Sequence, residues 1–189
     1  IVFGDWSSDV CSSDLVVGAG TIIFKDEGVG VYAQKYLEEN YEFGEDVTLV
    51  DGGVLGFQLM TYYQDYDNVV ILDTISMEDE AGSIYSIPAD ELLGLGSYKQ
   101  NAHEVEIVEM LEICSLLDKM ANVHVVGIVP HDIESVDIGL TNELKNKFDD
   151  FIKASLKQLD NMGVSYTKKE TYTNLEDIIK LYSHAQLQR

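Results

Sequence analysis

Three side chains, Glu27, Asp73 and His103, have the types and positions to do chemistry together. Glu27 lies in Asp26-Glu27-Gly28-Val29-Gly30, just past an apolar run, Leu15–Val17, that ends in Gly18-Ala19-Gly20. Asp73 closes the apolar run Val69–Leu72, and His103 sits in the first turn of an amphipathic stretch that begins near Asn101. In an open parallel sheet, ligands bind at the carboxyl ends of the strands. All three residues are expected at that rim. Two carboxylates and an imidazole form an O,O,N set that suits a borderline divalent ion with open positions, such as zinc or nickel. Without a cation the two acids would repel, and one would have its pKa raised. A helix N-terminus is positive and disfavours imidazolium, so His103 is expected neutral, the form that binds metals. The alternative reading is that Asp26 and Glu27 only cap a helix and that Asp73 and His103 are solvated.

The elements that must position these residues alternate between strand and helix. Helix is expected at about Gly28–Tyr41, with Val29, Ala33, Tyr36 and Leu37 on its apolar face. Strand is expected at Val47–Val50, ending in Asp51-Gly52-Gly53, where paired glycines allow a tight turn or close approach. Leu55–Tyr63 reads as helix and Val69–Leu72 as a strand covered on both faces. Met77–Gly82 reads as loop, and Ser83–Ile87 as a short strand that Pro88 confines to an edge or a strand end. Ala89–Gln100 reads as a loop. Helix follows over about Asn101–Met120, with the stripe Ile107, Met110, Leu111, Cys114 and Leu117. Val123–Val129 is a strand closed by Pro130. Thr141 is an N-cap for a helix running to about Met162, with Gly163 as its stop. Residues 164–189 form a C-terminal tail with one weak amphipathic segment, Leu175, Ile178, Ile179 and Tyr182. The order β-α-β-α-β-β-α-β-α predicts an α/β fold: a three-layer sandwich around an about five-stranded, mostly parallel twisted sheet with helices on both faces.

The 189 residues suit a single α/β domain, taken as 15–163. Ile1–Asp14 is polar, repetitive and aperiodic, and resembles a translated sequencing adaptor. It is expected to be a disordered, non-native leader without function, and it lacks the pattern of a signal peptide. No apolar stretch approaches ~18 residues, so no transmembrane helix is expected. The net charge of −22 disfavours nucleic acid. Two cysteines, Cys11 and Cys114, are too few for a disulfide framework and fit a reducing cytoplasm. Gly18-Ala-Gly20 lacks the third glycine of a dinucleotide fingerprint, with Ile23 in its place, and no Gly-x-Ser-x-Gly elbow is present. His124 is expected packed in its strand, His184 solvated, and His131 near the rim.

Several ordered motifs together resemble the maturation endopeptidases of [NiFe]-hydrogenases over about Leu15–Gly163. They are Gly18-Ala-Gly20-Thr21 with Asp26-Glu27-Gly28-Val29-Gly30; Asp51-Gly52-Gly53 with Gly56; Val70-Ile-Leu-Asp73; Gln100-Asn-Ala-His103; Gly127-Ile-Val-Pro130; and Ile138-Gly139-Leu140-Thr141. Thr21 stands where the family usually has Asn. The resemblance implies an endopeptidase that removes the C-terminal extension of a hydrogenase large-subunit precursor after nickel insertion. It implies a metal site of Glu27, Asp73 and His103 that recognises nickel carried by the substrate, where zinc or cadmium could substitute. Asp73 or Glu27 would serve as general base, and Asp51, Gly52 and Gly53 would receive the peptide. An aspartic-type mechanism, in which Asp73 and Glu27 share a proton, is the alternative chemistry. A non-catalytic metal-binding or docking module is the alternative function. A cytoplasmic monomer is expected.

Overall fold

A computed structural model describes residues 13–53, 65–89, 91 and 121–187. The elements are β1 (Asp14–Ala19), a single 3-10 turn (Lys25–Gly28), α1 (Val29–Asn40), β2 (Tyr41–Phe43), β3 (Val47–Gly53), β4 (Asn68–Thr74), β5 (Ile84–Pro88), β6 (Asn122–Ile128), α2 (Asn142–Asn161), β7 (Tyr166–Lys168) and α3 (Leu175–Leu187). Five strands form one sheet in the order β3-β1-β4-β6-β5. The neighbours from β3 to β6 run parallel, and β5 runs antiparallel on β6 at the edge. That edge is where a strand carrying Pro88 can sit without losing a ladder hydrogen bond.

Continuous apolar sequence in β1 and β4 makes the centre of the sheet dry on both faces. Val16, Val70, Leu72 and Val126 point to one face and pack with Val29, Tyr32 and Leu37 of α1 and Phe148 and Phe151 of α2. Their neighbours in the strands, Leu15, Val17, Val69, Ile71 and Val125, point the other way and are equally buried. Alternation of side chains along a strand then requires cover on both sides. The helices expected at 55–63 and 101–120, and most of the loop expected at 89–100, lie outside the described residues.

Two boundaries differ from those read in the sequence. β1 begins at Asp14, which is buried rather than part of a leader. The Asp14 carboxylate accepts from Asn68 Nδ2 at 2.7 Å, and Asn122 Nδ2 donates to Asn68 Oδ1 at 3.2 Å. The three residues are in register at the start of β1, β4 and β6. The packed unit also continues past Gly163. β7 pairs antiparallel with β2, and α3 inserts Ile178 and Ile179 into the same core as α1 and α2. Among the described residues no helix is long and apolar enough to cross a membrane.

Candidate active site

The rim at the carboxyl end of β1 and β4 is built around Gly20. This residue has φ +110°, a conformation that L side chains rarely adopt. Its N–H donates to the Gly53 carbonyl at 2.9 Å. A Cβ at this position would collide with the Glu27 carbonyl and would stand 3.6 Å from Asp73 Oδ1. The Glu27 backbone and the Asp73 carboxyl therefore meet on either side of one glycine, although 46 residues of sequence separate them. Gly30 makes the second close approach. A Cβ there would run into the carbonyls of Leu72 and Ala19, so the first turn of α1 rests directly on the ends of β4 and β1.

The segment leading to Glu27 is held from the side by Asp26, which is fully buried. Its carboxylate accepts from the backbone N–H groups of His131 and Asp132, each at 3.0 Å. It also accepts from Thr141, through the backbone N–H at 2.7 Å and the hydroxyl at 2.8 Å. Asp26 thus ties the 3-10 turn to the connection between β6 and α2. Backbone bonds from Asp26 N to Asp132 O and from Lys25 N to Asp137 O complete the seam. Lys25 carries φ +43°, the one non-glycine residue with positive φ among the described residues, and its ammonium lies 3.5 Å from the Asp132 carboxylate. Strain of this kind persists where surrounding bonds over-determine the backbone, and it gathers at functional sites. Neither acid caps α1. Its N-cap is Gly28, with no side-chain cap.

The two acids differ in environment. Asp73 is 2% exposed, and its Oδ1 accepts from the Thr74 N–H at 2.7 Å. Glu27 is half-buried, and loss of water raises its pKa above the ordinary carboxylate value. The Glu27 backbone, from the 3-10 turn, and the Asp73 carboxyl, from the end of β4, meet at one partly desolvated rim. Two carboxylates there would suit a divalent cation, which would offset the cost of holding them together. His103 lies outside the described residues. Among the described residues, no three His, Cys, Asp or Glu side chains are grouped as for a metal ion.

Asp51-Gly52-Gly53 does not follow β3 as a turn. The three residues are its last, and the pairing with β1 shifts by one residue between Gly18 and Ala19 to include them. Asp51 Oδ1 accepts from the Gly53 N–H at 3.1 Å, and Oδ2 accepts from the Tyr182 hydroxyl at 3.2 Å. A cavity of about 140 Å³ opens here, lined by Gly20, Thr21, Ile22, Asp51, Gly53 and Tyr182 among others. Tyr182 was visible in the sequence only as the last member of a weak apolar stripe. Of the other histidines, the His131 side chain is exposed, His124 stands within β6 with its pKa lowered by burial, and exposed His184 donates from Nδ1 to the Lys180 carbonyl.

Comparison with known proteins gives the family and the fold. The family model described as hydrogenase maturation protease matches residues 31–158, a span that contains Asp51, Asp73 and His103 and begins just after Glu27. The chain is 27% identical over 157 residues to the hydrogenase expression/formation protein HupD of Rhizobium leguminosarum, covering 82% of this chain and 78% of that one. It is 27% identical over 158 residues to the hydrogenase 2 maturation protease of Escherichia coli, covering 82% and 96%. The solved hydrogenase maturating endopeptidase HybD from E. coli superposes with a TM-score of 0.76 at 25% identity, over 82% of this chain and 97% of that one.

Proposed function

Because this chain belongs to the hydrogenase maturation proteases, we propose that it removes the C-terminal extension of a [NiFe]-hydrogenase large-subunit precursor after nickel insertion. In this reading Glu27, Asp73 and His103 engage the nickel that the precursor brings. The observation that carries it is the approach at Gly20, with the Glu27 backbone on one side and the Asp73 carboxyl on the other.

A metal at this rim supplies polarisation of the scissile carbonyl or a lowered pKa for a water. The chain's own groups supply the rest. Glu27, made more basic by desolvation, accepts the proton of the attacking water and returns it to the leaving amine. Asp73 is withdrawn from solvent and its carboxyl is oriented by the Thr74 N–H. Asp51, Gly52 and Gly53 receive the extended peptide beside the rim. The aspartic-type route uses the same two acids, sharing one proton, with no metal.

Mass spectrometry of a nickel-loaded precursor tests this. The wild-type protein should release a C-terminal peptide, and His103→Ala should release none while keeping its fold. Unchanged cleavage by His103→Ala would refute the ligand assignment. Cleavage that survives thorough chelation would transfer water activation to the carboxyl pair alone. Binding of precursor without release of a peptide would favour the docking-module reading.

A further inference from the structure

The cavity beside Gly20 has two walls from the sheet, formed by the end of β1 and the end of β3. Its third wall comes from α3. That helix begins at Leu175, beyond the residues that the family model matches, 31–158. It is nonetheless fixed firmly. Ile178 and Ile179 are buried in the core, and Glu176 pairs with Lys145 at 2.8 Å. Before it, Asn40 and Thr173 exchange hydrogen bonds, Nδ2 to carbonyl at 2.9 Å and N–H to Oδ1 at 2.8 Å. The Tyr182 ring packs edge-on against buried Tyr32, with centroids 5.6 Å apart. The position of the phenol is therefore set by the core and does not depend on Asp51.

The phenol and Asp51 stand where two openings meet. The smaller cavity leads to Gly20 and the rim. A second, of about 350 Å³, runs along α1 past Gln34, Lys35 and Leu181, and both are bordered by Asp51 and Tyr182. The hydroxyl reaches Asp51 Oδ2 at 3.2 Å, and Asp51 is exposed. A hydrogen bond of that length between accessible groups is weak and easily exchanged. Opened, the pair presents one acceptor and one donor, the complement of the N–H and C=O that an extended chain offers. The half-exposed side chain of Leu181, next in sequence, adds an apolar edge to the same groove.

From this we infer that Tyr182 is a positioning residue for the substrate peptide: α3 holds it opposite Asp51 so that the precursor's C-terminal extension, in extended form, lies between them as it leaves the rim. The inference rests on the function proposed above. Recognition is through the peptide backbone and so tolerates different extension sequences, while the acids at Gly20 are left to the chemistry.

The test is steady-state processing of a nickel-loaded large-subunit precursor by the full chain carrying Tyr182→Phe, which keeps the ring and its contact with Tyr32. KM should rise about three- to tenfold, the effect of one lost hydrogen bond, with kcat within about twofold. Asp51→Asn alone should also raise KM, and because each side chain holds a different backbone group of the peptide, the double variant should combine the two losses. If the bond only pins α3 to the sheet, Tyr182→Phe lowers the thermal midpoint and leaves KM at the wild-type value, which would overturn the inference. A double variant no worse than the more impaired single one would overturn it as well, since the two residues would then act only through their bond to each other. A wild-type protein that does not process the precursor removes the function on which the inference rests, and is told apart from these results by the wild-type control.

Discussion

The Asp26 carboxylate accepts from both the backbone N–H and the hydroxyl of Thr141, a residue 115 positions further along the chain. One buried acid thereby holds the turn that carries Glu27 against the start of α2. Asp26→Ala would strand the N–H groups of His131, Asp132 and Thr141 without their acceptor. We expect a loss of about 3 kcal/mol or more in urea unfolding, since bonds to charged acceptors are among the stronger ones and buried donors left unpaired are costly. A variant of wild-type stability would mean that the loop re-pairs with another acceptor.

Gly20→Ala meets two obstacles: the φ of +110° and the Glu27 carbonyl in the space a Cβ needs. The expected result is a destabilisation of about 2 kcal/mol or more together with loss of processing. Gly163→Ala is the control. Its φ is +79° with nothing within 4 Å, so only the backbone conformation is penalised, by about 1 kcal/mol, and processing should persist.

Burial raises the Glu27 pKa, so the folded state favours the protonated form more than the unfolded chain does. Above the folded pKa the ionised carboxylate works against folding. Glu27→Gln should therefore raise the thermal midpoint at neutral pH, by roughly 1–3 °C, while processing is lost. The gain should shrink as pH falls and vanish below the ordinary Glu value of about 4.3. Calorimetry across that range checks the sign. A midpoint that falls at neutral pH would be the contrary result.

At the alkaline end, the tyrosines around α1 and the C-terminal segment set the limit. Burial, with help from the hydrogen bond to Asp160, pushes the Tyr166 hydroxyl up to about 12, and burial raises Tyr32, Tyr36 and Tyr182 as well. A raised pKa adds stability that is complete below the unfolded value near 10 and is lost as pH climbs toward the folded one. The urea midpoint should hold up to about pH 10 and then fall, and Tyr166→Phe should soften that fall. Ultraviolet titration of the tyrosinates gives the parallel measure.

The sheet was readable because its central strands are unbroken apolar runs, and the position of Asp73 at the end of β4 was readable because the run Val69–Leu72 stops at it. Thr141 and Gly163 also announced themselves, through the cap and the left-handed stop they provide. Asp26 was misleading. An acid before a helix looks like a cap, and only tertiary structure turns its carboxylate toward Thr141. The extension of β3 through Gly52 and Gly53 was hidden, because glycine carries no strand signal and the ladder to β1 shifts register to keep them. β2 and β7 were missed for another reason. Each has three residues, too few for alternation to show, and what joins them is aromatic packing of Tyr41 and Phe43 on Tyr166.

The side chains of Asp14, Asn68 and Asn122 lie at the opposite end of the sheet from the rim, joined rung to rung. A strand that slips by one residue turns every side chain to the other face. Counted from Asn68, Asp73 emerges five residues on, about 17 Å away. The polar rungs act as an index mark that decides which residue of β4 surfaces beside Gly20. A slip in one direction would present Leu72, in the other Thr74, and the Asp73 carboxyl would no longer face the Glu27 backbone across Gly20.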